Sequence, residues 1–328
     1  MKIKSHYGKK NINKIKQEFI DESKSLILKD VERFREVGKI GFKGLCNVCS
    51  STLDNPIFTK HCIDYYKCSK CGMLGAGQVK SYSDYNKLLY EDIEYGNYLG
   101  LAEQRLNDIY IPKADFLIKT LPDVCSRGVI DIGAGLGYFV KALNLKGVNA
   151  KGYEINKNFV ENFNNTAKKE ATNGKMVHIE HDKLINSLKN EDNSKVISLI
   201  GVLEHVENPV NLLLDIKKLG FKNLFISVPL FSFSTLFEAI YDDYYHRQLS
   251  PDHIYLYTEK ALLWLESELG LKRLSQWYFG QDMHDILRIL SSKSLSFDID
   301  NMEEMFDDMQ LVIDKNKMSS EVHLVWSF

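Results

Sequence analysis

Two cysteine pairs near the N-terminus have the spacing of metal ligands. Cys46 and Cys49 form one C-x-x-C turn, eighteen residues follow, and Cys68 and Cys71 form a second turn. Thiolates are good tetrahedral ligands of Zn²⁺, and each C-x-x-C turn points two sulfurs at one ion. The spacing therefore predicts a zinc ribbon over residues 45–75 with a closed, structural Zn²⁺ site.

Redox-active thiols are the alternative function of these cysteines, but two matched pairs are hard to explain in that way. His61 and Cys62 lie between the pairs and are expected to be bystanders, although replacement of one ligand by either stays open. A four-cysteine site has no open coordination position, so it would support the fold and not catalysis.

A second candidate site is the glycine loop of VIDIGAGLGYF, Val129 to Phe139. A dinucleotide-binding loop needs G-x-G-x-x-G, and Tyr138 stands where its third glycine would be. Asp131 precedes the first glycine by two residues, at the end of a predicted strand. The NAD fingerprint therefore fails, and the pattern D-x-G-x-G-x-G needs another explanation.

The elements that carry this loop alternate between strand and helix. Short apolar runs predict strands in GVIDIG, AKGYEI, MVHIEH, KVISLIG and NLFISVP, and periodic stretches between and after them predict helices over 138–147, 156–170, 209–218 and 258–268. KRLSQWYF and EVHLVW add two late strands around a largely helical insertion. This alternation predicts an α/β fold with a doubly wound, mostly parallel sheet.

The sequence divides into four predicted parts. An amphipathic pattern over 11–37 predicts a helix, and five tyrosines lie within 82–98. The expected parts are an N-terminal helical segment (1–44), the zinc ribbon (45–75), a tyrosine-rich connecting or capping segment (76–120) and a main domain (121–328) with the insertion at about 281–318.

Composition and charge limit the function. The formal net charge is −2, whereas a nucleic-acid binder usually has a strong basic excess. No stretch approaches the ~20 apolar residues of a membrane span, and no apolar signal-peptide core follows the basic N-terminus. We therefore expect a cytoplasmic protein, and the charge balance argues against a nucleic-acid binder, although a local basic patch could escape this count.

The loop pattern resembles the first motif of class I S-adenosylmethionine (SAM) methyltransferases. This resemblance implies the seven-stranded Rossmann-like sheet of that family and SAM as cofactor. It implies that Asp131 supplies negative charge on the cationic side of SAM. Backbone at Gly133, Ala134 and Gly135 would approach the cofactor closely, and the helix N-terminus at Tyr138 would favour its carboxylate.

Later positions extend the resemblance. Glu154 would accept both ribose hydroxyls, Ile155 would pack on adenine, and Asp182 would contact the adenine amine. IGVLEHVENP resembles the family's L-E-H-V-x-x-P stretch and adds Gly201 and Leu203 as cofactor contacts.

A further stretch, SPDHIYLYTEKALL, resembles the D-H-x-x-x-[FY]-T helix start of many small-molecule methyltransferases. The resemblance covers roughly residues 105–328. Each residue alone would have an ordinary explanation, such as a solvated strand-end carboxylate, a structural histidine or a simple turn. Their joint order on a βα alternation favours the methyltransferase interpretation.

Three histidines are candidates for catalysis. SAM carries an activated methyl group, so positioning of the nucleophile comes first, and a general base helps a hydroxyl or carbon acid. His205 follows the fourth strand, whereas His246 and His253 lie in the 230–257 segment where the family often builds its substrate lid. Metal-dependent O-methyltransferases carry E-x-x-E-H here, and Gly201 in place of the first glutamate argues against a catalytic metal.

The chemical class of the acceptor is predicted from the order of the cysteine module and the SAM domain along the chain. A four-cysteine module before a SAM domain resembles the sugar C-methyltransferases, although this chain has a shorter module and is too short for their C-terminal domain. It also resembles zinc-ribbon methyltransferases of bacterial surface-polysaccharide clusters. The expected acceptor is a small polar molecule, a sugar or sugar nucleotide. An RNA methyltransferase using the ribbon and a non-catalytic partner-docking protein are the alternatives, and a homodimer stays open.

Overall fold

The computed structural model describes most of the chain. The described residues are 32, 40–41, 44–61, 63–79, 102–170, 174–242, 244, 247–250, 253–292 and 302–328. The predicted N-terminal helix over 11–37, with the exception of residue 32, the tyrosine-rich stretch over 82–98 and His246 lie outside the described residues.

Thirteen strands are present in the described part. In chain order, β1 to β13 are Ile40–Gly41, Phe58–Lys60, Ile63–Lys67, Leu74–Ala76, Gln78–Val79, Val129–Ile132, Ala150–Glu154, Lys175–His178, Val196–Ile200, Asn223–Pro229, Tyr255–Leu256, Lys272–Phe279 and Glu321–Ser327. The α-helices, α1 to α11, are Ala102–Arg105, Ile111–Thr120, Val124–Arg127, Tyr138–Leu145, Lys157–Lys169, Leu184–Leu188, Pro209–Lys218, Phe233–Ile240, Glu259–Leu269, Asp282–Ser292 and Glu303–Lys315.

Seven strands form the main sheet, in the order β12-β13-β10-β9-β6-β7-β8. Strands β8, β7, β6, β9 and β10 pair in parallel, and β13 pairs antiparallel with both β10 and β12. Every residue of β6 and β10 is buried, as expected for central strands covered by helices on both faces. The prediction of an α/β fold with a doubly wound, mostly parallel sheet is confirmed.

The helices that precede β6, the first strand of the main sheet along the chain, pack against this sheet. Helices α1 and α2 are joined by a π-helical turn, Leu106–Tyr110. Leu106, Ala114 and Leu117 are buried in one hydrophobic cluster with residues of α4 and β6. The segment over 102–120, expected to connect or cap, therefore covers one face of the main sheet.

The cysteine-rich region forms a second, four-stranded sheet in the order β11-β4-β3-β2. Its edge strand β11 comes from far along the chain and pairs antiparallel with β4 through Tyr255 and Leu256. Cys46, Cys68 and Cys71 are buried in the same hydrophobic cluster as residues of α7 and α9. The ribbon is thus built into the surface of the main domain.

The last strands and helices of the chain lie where the sequence predicts two strands around a helical insertion. Strands β12 and β13 form the antiparallel pair, and helices α10 and α11 lie between them in the region of the predicted insertion. Within the described part of the chain, no helix combines the length and the apolar character that a membrane span requires.

Candidate functional site

A cavity of about 580 Å³ opens at the carboxyl ends of the parallel strands. Residues that follow β6, β7 and β9 line it, including the glycine loop. Strand order reverses between β6 and β9, because β7 and β8 lie on one side and β10 on the other. Open α/β sheets bind their ligands at such a switch point.

The glycine loop forms the floor of this cavity. Gly133 and Gly135 have φ angles of +69° and +54°, in the left-handed region that side chains disfavour. A Cβ at Gly133 would lie 2.7 Å from Val202 Cγ2, whereas a Cβ at Gly135 would meet no atom within 4 Å. The loop therefore exposes backbone to the cavity, and it leads into α4 at Tyr138.

Glu154 is fixed at the end of β7 by backbone donors. It is only 4% exposed but lines the cavity. Gly135 N donates to Oε2 at 2.7 Å, and Asn156 N donates to Oε1 at 2.8 Å. Burial raises the pKa of this carboxyl, and the backbone amides oppose the shift. These backbone hydrogen bonds do not use every lone pair of the carboxylate, so it can still accept from a ligand.

Asp131 places a second carboxyl at the cavity wall. Burial raises its pKa to about 7, while a hydrogen bond from Ser198 Oγ and the charge of Lys113 oppose the shift, and the charge of Glu154 reinforces it. A cationic ligand beside Asp131 would favour its ionised form. Two acidic groups in one buried cavity therefore fit a positively charged ligand.

The helical segment before β6 contributes cavity residues that the sequence analysis missed. Arg105 and Tyr110 line the cavity, and the Arg105 guanidinium lies 6.0 Å from the ring centre of Tyr138. Within the described residues, the buried Nε of Arg105 has no hydrogen-bond partner. This donor fits an anionic group of a ligand, such as a carboxylate. Nothing in the local pattern marks Arg105, since its position depends on helix packing.

The other rim of the cavity is polar. Asn208, Asn211 and Asp215, at the start and along one face of α7, line it together with Glu207. Amide and carboxylate groups hydrogen-bond hydroxyls well. Their i, i+3, i+7 spacing is visible in the sequence, but only the fold shows that this helix face borders the cavity.

Two of the predicted histidines come together. His205 lines the cavity, and the ring centres of His205 and His253 are 5.1 Å apart. Glu204, which is 4% exposed, joins them, and ligand atoms of all three residues lie within 4.8 Å of one another. His246 lies outside the described residues.

Most of the predicted cofactor contacts line the cavity, and two do not. The lining residues are Asp131, Gly133, Ala134, Gly135, Tyr138, Glu154, Ile155 and Gly201. Asp182 is exposed on a short 3-10 helix, where its neighbour His181 is the lining residue. The side chain of Leu203 is fully buried in the core, because the turn after β9 points it inward.

The four cysteines converge on one point. Cys46 Sγ lies 3.7 Å from Cys71 Sγ, and Cys49 Sγ lies 3.5 Å from Cys68 Sγ. Four sulfurs at about 2.3 Å from one tetrahedral ion would be about 3.8 Å apart, so the observed spacing fits Zn²⁺. The hydrogen bond between Cys46 and Cys71 lowers the pKa of Cys46 and raises the pKa of Cys71, so Cys46 is the sulfur of this pair that favours the thiolate form. His61 is not part of this group, and Cys62 lies outside the described residues.

The sheet order, the glycine loop and the cavity at the switch point define a class I SAM-dependent methyltransferase. A model of the methyltransferase-domain family matches residues 109–276, just over half of the chain. The chain belongs to that family.

Three solved structures illustrate the similarity of fold. Phosphoethanolamine N-methyltransferase 2 of Haemonchus contortus, in complex with S-adenosyl-L-methionine, is 14% identical, with a TM-score of 0.49 over 77% of this chain and 62% of that one. Coclaurine N-methyltransferase, bound to N-methylheliamine and S-adenosylhomocysteine (SAH), is 12% identical, with a TM-score of 0.46 over 67% and 73%. Magnesium protoporphyrin IX methyltransferase of Synechocystis PCC 6803, with bound SAH, is 12% identical, with a TM-score of 0.44 over 75% and 94%. No curated protein sequence matches the chain.

Proposed function

We propose that this protein transfers the methyl group of SAM to a small polar acceptor, a sugar or nucleotide-linked sugar, and that its four cysteines hold a structural Zn²⁺. The observation that carries this proposal is the pair of buried carboxyls, Asp131 and Glu154, beside an exposed glycine backbone in one cavity. SAM supplies a methyl group activated by its sulfonium. The chain's own residues would bind SAM, orient it and keep water out.

The cavity offers a complementary partner for each part of SAM. Asp131 would face the cationic methionine end, and Arg105 would bind the carboxylate there. Glu154, held by backbone amides, would accept the ribose hydroxyls. Ile155 and Ile179, which line the same wall, would pack on the adenine ring.

The acceptor would enter beside the turn after β9. His205 lines this side of the cavity and is our candidate for the group that takes a proton from the acceptor. The rim formed by Glu207, Asn208 and Asn211 supports a polar acceptor with several hydroxyls. These side chains would hold the nucleophilic oxygen in line with the methyl group, which is the main requirement of the reaction.

The nucleic-acid alternative receives little support from the ribbon. Lys60 is 4% exposed, and its ammonium pairs with Asp242 at 2.8 Å, so it is not displayed to a phosphate backbone. Of the ribbon's other lysines, Lys67 and Lys70 are exposed. Two exposed lysines make a small electrostatic footprint compared with the basic stripe of nucleic-acid binders.

The first test is calorimetry with SAM and SAH on full-length protein whose zinc content is measured in the same sample. We expect micromolar binding and about one zinc per chain bound by the cysteines. Sugar nucleotides would then be screened by SAH release, with RNA as the matched comparison. Absence of SAM and SAH binding in a sample that contains zinc would favour the partner-docking alternative.

SAM affinity is expected to fall as pH decreases below 7. The pKa of Asp131 is raised to about 7, so below this pH its carboxyl is largely neutral in the free protein. A bound cation favours the ionised form, so binding must release a proton, and Kd should rise by up to about tenfold per pH unit.

Calorimetry across pH checks this dependence, and Asp131→Asn is the control. His181 and His205 also line the cavity, but both remain in this variant. If the variant shows the same pH dependence as the wild type, Asp131 is not the group responsible.

A further inference from the structure

Buried polar side chains form a row across the face of the main sheet that α2 covers. In the strand register Asp131 lies beside Ser198, and Ser227 lies beside His323 two positions further along. Because side chains alternate along a strand, all four share the face whose apolar residues pack on α2. Each is at most 3% exposed, so each needs a hydrogen-bonding partner within the protein.

The hydrogen bonds at one end of this row have a fixed direction. The Ser227 hydroxyl donates to the carboxylate of Glu321, and His323 Nδ1 lies 3.0 Å from the same hydroxyl oxygen. A serine hydroxyl has one proton, so its oxygen must accept the hydrogen bond from Nδ1–H of His323. The chain of hydrogen bonds therefore ends on Glu321, the acceptor with negative charge.

Lys113 of α2 supplies a cation to this row. It is only 5% exposed, and its Nζ lies 3.1 Å from Glu321 Oε1. The same ammonium lies 5.7 Å from the ring centre of Tyr110, which lines the cavity. Since a buried charge is costly without a partner, the position of Lys113 is tied to the negative groups around it.

Asp131 is the second negative group on which Lys113 acts. Burial raises the pKa of Asp131 to about 7, the hydrogen bond from Ser198 lowers it, the charge of Glu154 raises it, and the charge of Lys113 lowers it. Burial also acts to raise the pKa of Glu321, but the charge of Lys113 helps to hold it below its usual range. Lys113 is thus shared between two carboxylates, and Asp131 is the one that lines the cavity.

We propose that Lys113 is a positioning residue of the cofactor site, whose ammonium, shared between Glu321 and Asp131, sets the negative charge that Asp131 presents to a cationic ligand. The identity of that ligand as SAM rests on the proposed function, whereas the coupling among the three charged groups does not. Because Lys113 acts from α2, the packing of this helix on the sheet and the binding of the cofactor are linked.

Two substitutions should move the pH dependence of SAM binding in opposite directions. Lys113→Met removes the positive charge, so Asp131 loses its proton only at higher pH, and the pH below which SAM affinity falls should rise by about one unit. Glu321→Gln keeps an acceptor for Ser227 and removes the competing carboxylate, so Lys113 acts on Asp131 alone and that pH should fall. A purely structural role would weaken binding in both variants without shifts of opposite sign.

Two further variants make the test specific. Lys113→Met combined with Glu321→Gln leaves neither charge unpaired in the interior, so this double variant should regain the thermal stability that the single variants lose. It still lacks the cation that acts on Asp131, so the pH below which its SAM affinity falls should stay above that of the wild type. Lys141→Met removes a lysine of α4 that pairs with Glu170 and does not line the cavity, and this variant should bind SAM like the wild type.

Other titratable groups at the cavity are unchanged in all of these variants. Arg105 from α1, Tyr138 from α4 and His205 from the turn after β9 line the cavity together with Glu154 of β7. Their contribution to the pH dependence is therefore common to the wild type and the variants, and it cancels in the comparison.

Calorimetry with SAM around neutral pH gives the affinities of the full-length proteins. Carboxyl NMR of ligand-free protein with isotope-labelled aspartate follows the ionisation of Asp131 directly, and Asp131→Asn identifies its signal. Opposite shifts in the two single variants by both methods support the inference. An Asp131 ionisation that is the same in the wild type and in folded Lys113→Met protein would overturn it. Wild-type protein that fails to bind SAM would count against the proposed function, and the NMR titration would still decide the role of Lys113.

Discussion

Replacement of Glu154 with alanine is expected to weaken SAM binding by at least a hundredfold. Each hydrogen bond from a ribose hydroxyl to this carboxylate would contribute about 1.5–3 kcal/mol, so two contribute about 3–6 kcal/mol. The substitution also removes the acceptor for Gly135 N and Asn156 N, which loosens the loop that faces the cofactor. Calorimetry with SAM and with SAH measures the effect.

The matched control is Glu180→Ala. Glu180 follows the next strand of the sheet, is exposed and pairs with Lys183, so its loss should leave SAM affinity unchanged. Thermal unfolding of both variants shows whether the fold is retained. Equal affinities for the wild type and Glu154→Ala would mean that the cofactor does not bind at the end of β7.

The sequence was sufficient to predict the main sheet, because each of its elements depends on local signals. Burial of β6 and β10 on both faces requires largely apolar runs, which VIDI and NLFISVP supply. The glycine loop is likewise marked by residue type, because its positive φ angles require closely spaced glycines and an acidic residue ends the strand that leads into it. Strand order then brings Asp131 and Glu154 to one edge.

The sequence could not show contacts made between distant segments. Arg105 reaches the cavity because α1 and α2 pack on α4, and no pattern around it differs from an ordinary surface helix. His253 meets His205 only because β11 leaves the main domain to join the ribbon. The predicted contact of Asp182 stays a prediction, and in the structure its neighbour His181 lines the cavity.

The ribbon and the cavity are linked by one short segment. The turn after β9, which carries His205, is hydrogen-bonded to Ile254, and the next residues form β11 at the edge of the ribbon sheet. Thr258 Oγ1 then donates to the carbonyl of Gly72, directly after the last cysteine. Metal binding at the cysteines would therefore stabilise the wall of the cavity as well as the ribbon.

The largest effect on stability is expected from Cys71→Ser. Cys71 is fully buried, its Sγ lies 3.7 Å from Cys46, and a serine hydroxyl is a poor replacement for a thiolate ligand of Zn²⁺. Loss of a structural zinc removes several kcal/mol of folding free energy, which corresponds to a decrease in Tm of about 10 °C for a domain of this size.

Zinc content, thermal unfolding and limited proteolysis measure this effect, with Cys125→Ser as the control, because Cys125 is exposed and is not part of the cluster. The spacing of the cysteines alone predicts a structural zinc that supports the fold and not catalysis. In the structure, β11 and His253 depend on the ribbon sheet, so we expect a moderate loss of SAM affinity, smaller than that of Glu154→Ala. A Cys71→Ser protein that keeps its zinc and its Tm would show that the four cysteines do not form a metal site.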